Sequence, residues 1–176
     1  MNLDPQLWTT IGCGLAVFMS ASGSGIASAS GATYAMKGLD LKSFVPIVIA
    51  GVLAIYGLII GYMLAMKAGD ADMTVVEGYK NFGAGLVVGG ATYASGWGMS
   101  VFVDNMNYNG PYKASSTSTS EGTTDEATTP LLGSVRAGEA PYSKSQFTTM
   151  VVSMIYLEAI GLYGLIIALF LTGPMK

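Results

Sequence analysis

Histidine is absent from this 176-residue chain, and cysteine occurs once, as Cys13. The first absence excludes His-ligated zinc and haem, together with Ser-His-Asp and Cys-His catalysis. The second excludes an internal disulfide and a thiolate cluster. Charge is scarce as well. Charged residues make up 11% of the chain, against about 25% in a globular domain. The 8 Lys and Arg set against 11 Asp and Glu leave a net charge of −3, so no basic footprint for nucleic acid exists. What is abundant is apolar: hydrophobic residues make up 51%, and glycine alone counts 24. A chain of that kind is not disordered, because disorder needs high charge and few apolar residues. It reads as a small membrane protein.

Charge-free stretches set the organisation. None of the residues from Pro5 to Met36, from Ser43 to Met66, or from Asn81 to Val103 is charged, and Ser145 to Met175 holds one charge, Glu158. A bilayer core needs about 20 mainly apolar residues in a helix, so four spans are expected. Met1 to Leu7 carries Asp4 and no basic residue, which is unlike the basic start of a cleaved signal; the first stretch is expected to be a retained helix. The loop 37–42 holds Lys37, Asp40 and Lys42, and the loop 67–80 holds Lys67, Asp70, Asp72, Glu77 and Lys80. The more basic loop is expected in the cytosol, with both termini on the far side.

The spans differ in kind. From Gly12 to Ala32, 16 of 21 residues are Gly, Ala, Ser or Cys. Gly12, Ala16, Ser20, Ser24, Ser28 and Ala32 form a small ridge at every fourth position, and Gly85 with Gly89, then Gly90, Ala94 and Gly98, do the same in the third span. Small ridges let helix backbones approach closely in lipid, so an inner layer of helices one and three is expected. Helices two and four carry Ile47, Ile49, Leu53, Ile55, Leu58 and Ile59, then Ile155, Leu157, Leu162, Leu165 and Ile166. These are expected to face lipid.

The alternation of small and bulky helices is a duplication. Ile55-Tyr56-Gly57-Leu58-Ile59-Ile60 matches Leu162-Tyr163-Gly164-Leu165-Ile166-Ile167 at an offset of 107, and Gly12-Cys13-Gly14-Leu15-Ala16-Val17 matches Gly83-Ala84-Gly85-Leu86-Val87-Val88 at an offset of 71. The difference, 107 − 71 = 36 residues, falls in a polar segment between helices three and four. The chain therefore divides into 1–104, holding a first hairpin over 7–66 and helix three over 81–103, a polar insert over 105–144, and 145–176 with helix four. The Ser/Thr-rich insert is expected to be disordered and tolerated as a spacer.

Glu158 lies near the middle of the fourth span, about 18 Å from its start. A charge there costs at least about 2.5–3.5 kcal/mol, so the carboxyl is expected to be protonated for much of the time and able to load and release a proton. The plainer alternative is a protonated acid used as an interhelical hydrogen-bond donor. Residue 158 − 107 = 51 is Gly51, so the duplicated halves carry one acid between them. No Lys, Arg or His lies inside a span; a cation that deprotonates Glu158 must come from another chain. Neither paired acids nor a nucleophile with a base is visible, so the chain is not read as an enzyme on its own, and no cofactor or metal is expected.

Val45-Pro46-Ile47-Val48-Ile49-Ala50-Gly51-Val52-Leu53-Ala54-Ile55-Tyr56-Gly57-Leu58 resembles helix two of the V-type ATPase proteolipids. Glu158-Ala159-Ile160-Gly161-Leu162-Tyr163-Gly164-Leu165-Ile166 resembles their helix four, and Phe82-Gly83-Ala84-Gly85-Leu86 their helix three. The resemblance covers about 140 of the 176 residues and implies an all-α membrane protein of four transmembrane helices, two duplicated hairpins, assembled with other proteolipids into a rotor ring. It implies that Glu158 carries a proton past a static membrane subunit bearing an Arg, driven through central-stalk subunits by ATP hydrolysis in a soluble sector. It places Tyr163, Gly51 and Leu162 near that carboxyl, where macrolide inhibitors of such pumps bind. It implies a vacuolar or other endomembrane location, with lumenal termini and the segments 37–42 and 105–144 in the cytosol. The ordinary form of the family has its Glu in the last of four helices, as here. Relatives that carry Na+ use extra Gln and Thr ligands; here Gln6 and Gln146 sit near helix ends, and Ser153 and Thr92 are the remaining candidates. The alternative reading is a tetraspan channel or scaffold with Glu158 lining a pore. The insert departs from the family's short basic loop.

Overall fold

A computed structural model describes residues 4–37, 41–70, 72–109 and 144–173. The elements among the described residues are all helical: α1 Pro5–Lys37, one 3-10 turn Leu41–Phe44, α2 Val45–Ala68, α3 Val75–Asn109 and α4 Lys144–Thr172. All four α-helices are long and apolar enough to cross a membrane. Helices are the solution that hydrocarbon imposes, because each backbone N–H and C=O is then satisfied inside its own segment. α3 continues six residues beyond Val103, the expected end of the third span. The disorder expected of the insert falls on 110–143, outside the described residues.

Local chemistry sets the helix starts. Pro46 sits in the first turn of α2, where a missing N–H costs no helical bond. Ahead of α3, Thr74 and Glu77 form a reciprocal cap. The Thr74 amide and hydroxyl donate to Glu77 Oε2 at 2.8 and 2.9 Å, and the Glu77 amide donates back to Thr74 Oγ1 at 3.3 Å, so donors left over at the helix start find partners.

α1 packs on α2 and α3, and α4 packs on α3 and α2. The small helices form the tightest contact. A Cβ on Gly85 would run into the Gly12 carbonyl, and one on Gly96 into the Gly23 carbonyl. Each pair is separated by 11 residues along its helix, which is three turns, so both contacts recur on one face. Three hydroxyl or amide pairs cross the same seam: Asn81 Nδ2 to Thr9 Oγ1 at 3.2 Å, Ser20 Oγ with Thr92 Oγ1 at 2.6 Å, and Ser30 Oγ with Ser100 Oγ at 2.7 Å. These polar groups satisfy one another between the helices.

The small ridge of α1 holds only in part. Gly12, Ala16, Ser20 and Ser24 are buried, but Ser28 and Ala32 are half-buried. A step of four residues turns a helix by about 400°, so such a ridge drifts about 40° per step. The seam compensates with three-residue steps, and Gly23, Ala27, Ser30 and Tyr34 are buried instead. On α3, Gly85 and Gly89 face α1, and a Cβ on Gly89 would lie 2.9 Å from the Leu15 carbonyl. Gly90 meets nothing, Ala94 is exposed, and Gly98 turns toward Leu157 of α4.

The duplication is present in the packing. Gly57 of α2 presses on Ser20 and the Ala16 carbonyl, and Gly164 of α4 presses on Ala91 and the Val87 carbonyl. The first set becomes the second by adding 107 to the glycine and 71 to its partners. The bulky residues correct one expectation. Ile55, Leu58, Ile59, Ile155, Leu162 and Ile166 are exposed on the outer face, but Leu53 and Leu165 are buried. Leu53 joins Met99, Met150 and Met154 in one cluster, and Leu165 joins Ile60, Leu64 and Val88 in another. Both turn inward because α2 and α4 touch each other as well as the small helices.

Candidate functional site

Glu158 stands at the centre of α4, 14 residues from Lys144 and 14 from Thr172. At 1.5 Å per residue that is about 21 Å from either end. The side chain is half-buried at the edge where α4 meets α2. The Tyr56 hydroxyl of α2 reaches across and donates to Glu158 Oε1 at 3.0 Å. Among the described residues this is the carboxyl's one hydrogen-bond partner.

The helices position this pair through small and apolar neighbours. One turn beyond Glu158, a Cβ on Gly161 would meet Leu53 Cδ2 at 2.8 Å, with the Thr92 methyl and the Tyr56 ring at 3.5 and 3.7 Å. Glycine at 161 therefore lets α2 lie close enough for Tyr56 to reach the carboxyl. On the other side, Ser95 of α3 donates to the Leu157 carbonyl at 2.6 Å, which pins the residue before Glu158. Farther along, Lys67 Nζ of α2 donates to the Thr172 carbonyl and holds the two C-terminal ends together.

The residues named with Glu158 are placed differently from one another. Leu162 is one turn along, on nearly the same face, and exposed. Tyr163 is five residues on, about 140° around the helix, and its ring is exposed. Gly51 is exposed, and a Cβ there meets nothing within 4 Å. Of these, none is brought into hydrogen-bonding contact with Glu158; Tyr56 is. Tyr56 lies inside the helix-two motif, and it is also residue 163 − 107, so the repeat carried a signal for it. Which helix face it occupies relative to α4 was not readable from spacing. Thr92 spends its hydroxyl on Ser20 and on the Val88 and Gly89 carbonyls. Ser153 is half-buried on a shallow groove with Phe102, Val152, Tyr156 and Leu157. No group of three or more His, Cys, Asp or Glu gathers among the described residues.

The arrangement can do one kind of chemistry. A lone carboxyl at the middle of a membrane-capable helix, half-buried and held by one hydroxyl, offers a single group that can accept or donate a proton. The carbonyl oxygen of the acid and the oxygen of the carboxylate both accept the Tyr56 hydrogen bond, so the same tether serves both states.

Comparison with known proteins places the chain's relatives among proteolipids of the V-type ATPases. Residues 133–171, which include Glu158, match the ATP synthase C-subunit family. The chain is 31% identical over 160 residues to the 16 kDa proteolipid of the V-type proton ATPase of Homo sapiens, covering 90% of this chain and 81% of that protein. It is 29% identical over 167 residues to the c'-type proteolipid of the V-type proton ATPase of Candida glabrata, covering 91% and 84%. The corresponding c'-type protein of Saccharomyces cerevisiae matches at 29% with the same coverage.

Proposed function

Because the chain belongs to the V-type proton ATPase proteolipid family, we propose that it is a proton-translocating rotor subunit whose carrier is Glu158. It is an integral, multi-pass membrane protein and a non-catalytic part of the pump. The observation that carries the assignment is the single half-buried carboxyl at the centre of α4, tethered by Tyr56 at 3.0 Å. Copies of the chain assemble into a ring with Glu158 on its outer side. The carboxylate takes a proton from one aqueous half-channel and crosses the lipid-facing part of the rotation as the neutral acid. It then gives the proton up to a second half-channel when an Arg of a static membrane subunit stabilises the carboxylate. The cost of a bare charge in hydrocarbon, at least about 2.5–3.5 kcal/mol, forbids the ionised form from making that passage. Moving one proton against 100 mV requires about 2.3 kcal/mol, which ATP-driven rotation through the central stalk supplies.

The cargo is a proton rather than Na+. A hard cation needs several oxygen ligands, whereas among the described residues the one hydrogen-bond partner of Glu158 is the Tyr56 hydroxyl, and the Thr92 hydroxyl is engaged with Ser20 and the Val88 and Gly89 carbonyls. The membrane is that of a vacuole or related organelle, with both termini in the lumen and the segments 37–42 and 105–144 in the cytosol. The test is dicyclohexylcarbodiimide treatment of native membranes, with mass-spectrometric mapping of the modified residue and parallel measurement of ATP-driven acidification. Labelling at Glu158 with proportional loss of acidification is the expected result. Absence of labelling, or labelling that leaves acidification intact, overturns the assignment.

A further inference from the structure

Serine and threonine hydroxyls inside a helix ordinarily return to the carbonyl four residues back, as those of Thr10, Ser22 and Thr172 do here. Ser95 of α3 does otherwise. Its hydroxyl crosses to α4 and donates to the Leu157 carbonyl at 2.6 Å, and the residue is 1% exposed. In α4 the same carbonyl takes the Gly161 amide, four residues on. The turn 157–161, which bears both Glu158 and the glycine that admits Tyr56, is therefore held from α3 at one carbonyl. Gly98, less than one turn beyond Ser95, leaves room for the Leu157 side chain, since a Cβ there would lie 3.2 Å from Leu157 Cδ2. The repeat supplies an internal comparison. Subtracting 71 from 95 gives Ser24, and subtracting 107 from 157 gives Ala50. Both are buried, yet among the described residues no hydrogen bond joins the Ser24 hydroxyl to the Ala50 carbonyl. The bond is made in the hairpin that carries the acid.

We propose that Ser95 is a positioning residue for the proton carrier: by holding the Leu157 carbonyl it fixes the rotation of α4 at which Glu158 reaches Tyr56. The inference rests on the reading of Glu158 as the carrier and adds the group that aims it. Lipid gives an apolar helix no preferred rotation, so packing and hydrogen bonds from its neighbours must select one. A helix with its side chains is about 10–12 Å across, so a carboxyl at its rim moves about 1 Å for each 10° of rotation. The Tyr56–Glu158 bond stands at 3.0 Å, and a separation beyond about 3.5 Å is no longer a hydrogen bond. A rotation of about 5–10° therefore parts the pair. The Ser95 hydroxyl from α3 and the Tyr56 hydroxyl from α2 act at adjoining residues, 157 and 158. With both in place, α4 cannot turn without stretching one of them.

The experiment follows the rate of dicyclohexylcarbodiimide labelling at Glu158 in membranes carrying the assembled pump. The readout is the labelled fraction of the Glu158 peptide by mass spectrometry, so protein abundance does not enter. Ser95→Ala removes the donor and leaves the Leu157 carbonyl its helical bond. It is expected to label about two- to tenfold faster, the worth of the neutral hydrogen bond at Tyr56 that it loosens. Because Ser95 acts through that tether, Ser95→Ala combined with Tyr56→Phe should label no faster than Tyr56→Phe alone, the signature of coupled residues. Ser95→Thr, which keeps the hydroxyl, should restore the parent rate. Ser24→Ala removes a buried hydroxyl at the equivalent place in the other hairpin and should leave the rate at Glu158 unchanged. The proposal is overturned if Ser95→Ala labels at the parent rate, if its effect multiplies that of Tyr56→Phe, or if Ser24→Ala has the same effect, because each outcome reduces Ser95 to general packing. If Glu158 of the unaltered chain is not labelled at all, the carrier assignment fails and this inference with it. If Glu158 is labelled with loss of acidification but ignores Ser95, only the positioning role fails.

Discussion

Replacing Tyr56 by Phe removes one oxygen and keeps the aromatic ring that packs beside Leu53 and Gly161. The change therefore isolates the 3.0 Å hydrogen bond to Glu158 Oε1. While Glu158 is the neutral acid, that bond contributes about 0.5–1.5 kcal/mol net. At about 1.36 kcal/mol per factor of ten, its loss frees the carboxyl by a factor of about 2 to 10. The readout is the pseudo-first-order rate of carbodiimide labelling at Glu158 in native membranes at fixed pH, followed by mass spectrometry. The Tyr56→Phe variant should label faster by that factor, and, under the proposed function, its ATP-driven acidification should start more slowly because the carboxyl is held less firmly. Lost packing cannot account for either effect, since only a hydroxyl is removed. A variant that labels and pumps as the parent chain does would refute the reasoning, because the tether would then be absent in the assembled rotor.

The Glu158→Gln variant keeps an oxygen that accepts from Tyr56 but carries no transferable proton; it should assemble at normal abundance, resist carbodiimide and show no acidification in a pH-sensitive dye assay. Gly85→Ala puts a methyl group against the Gly12 backbone, and overpacking of this kind typically costs about 1–3 kcal/mol; the detergent-solubilised protein should lose thermal stability in an unfolding scan. Gly14→Ala, where a Cβ meets nothing within 4 Å, should be tolerated in the same scan and gain up to about 1 kcal/mol of helix propensity. Thr74→Ala breaks the reciprocal cap with Glu77, costing about 1 kcal/mol; amide hydrogen exchange should quicken in the first turn of α3 and not in α4.

Four spans, a duplication and a single mid-membrane acid were all legible in the order of residues. Each is a property of one segment or of two segments compared, and hydrocarbon leaves a long apolar segment little choice but a helix. The repeat offsets of 107 and 71 reappear in the contacts of Gly57 and Gly164, because homologous segments present homologous faces. The rotation of each helix about its own axis was not legible. Lipid tails are as apolar as a packed interior, so hydropathy does not distinguish an inward leucine from an outward one. Leu53 and Leu165 turn inward while Leu58 and Leu162 face out, and the ridge of α1 leaves the seam at Ser28 because four residues overshoot a turn. The same ambiguity hid Tyr56. Composition and spacing single out Glu158, but only close packing at Gly161 decides which hydroxyl reaches it.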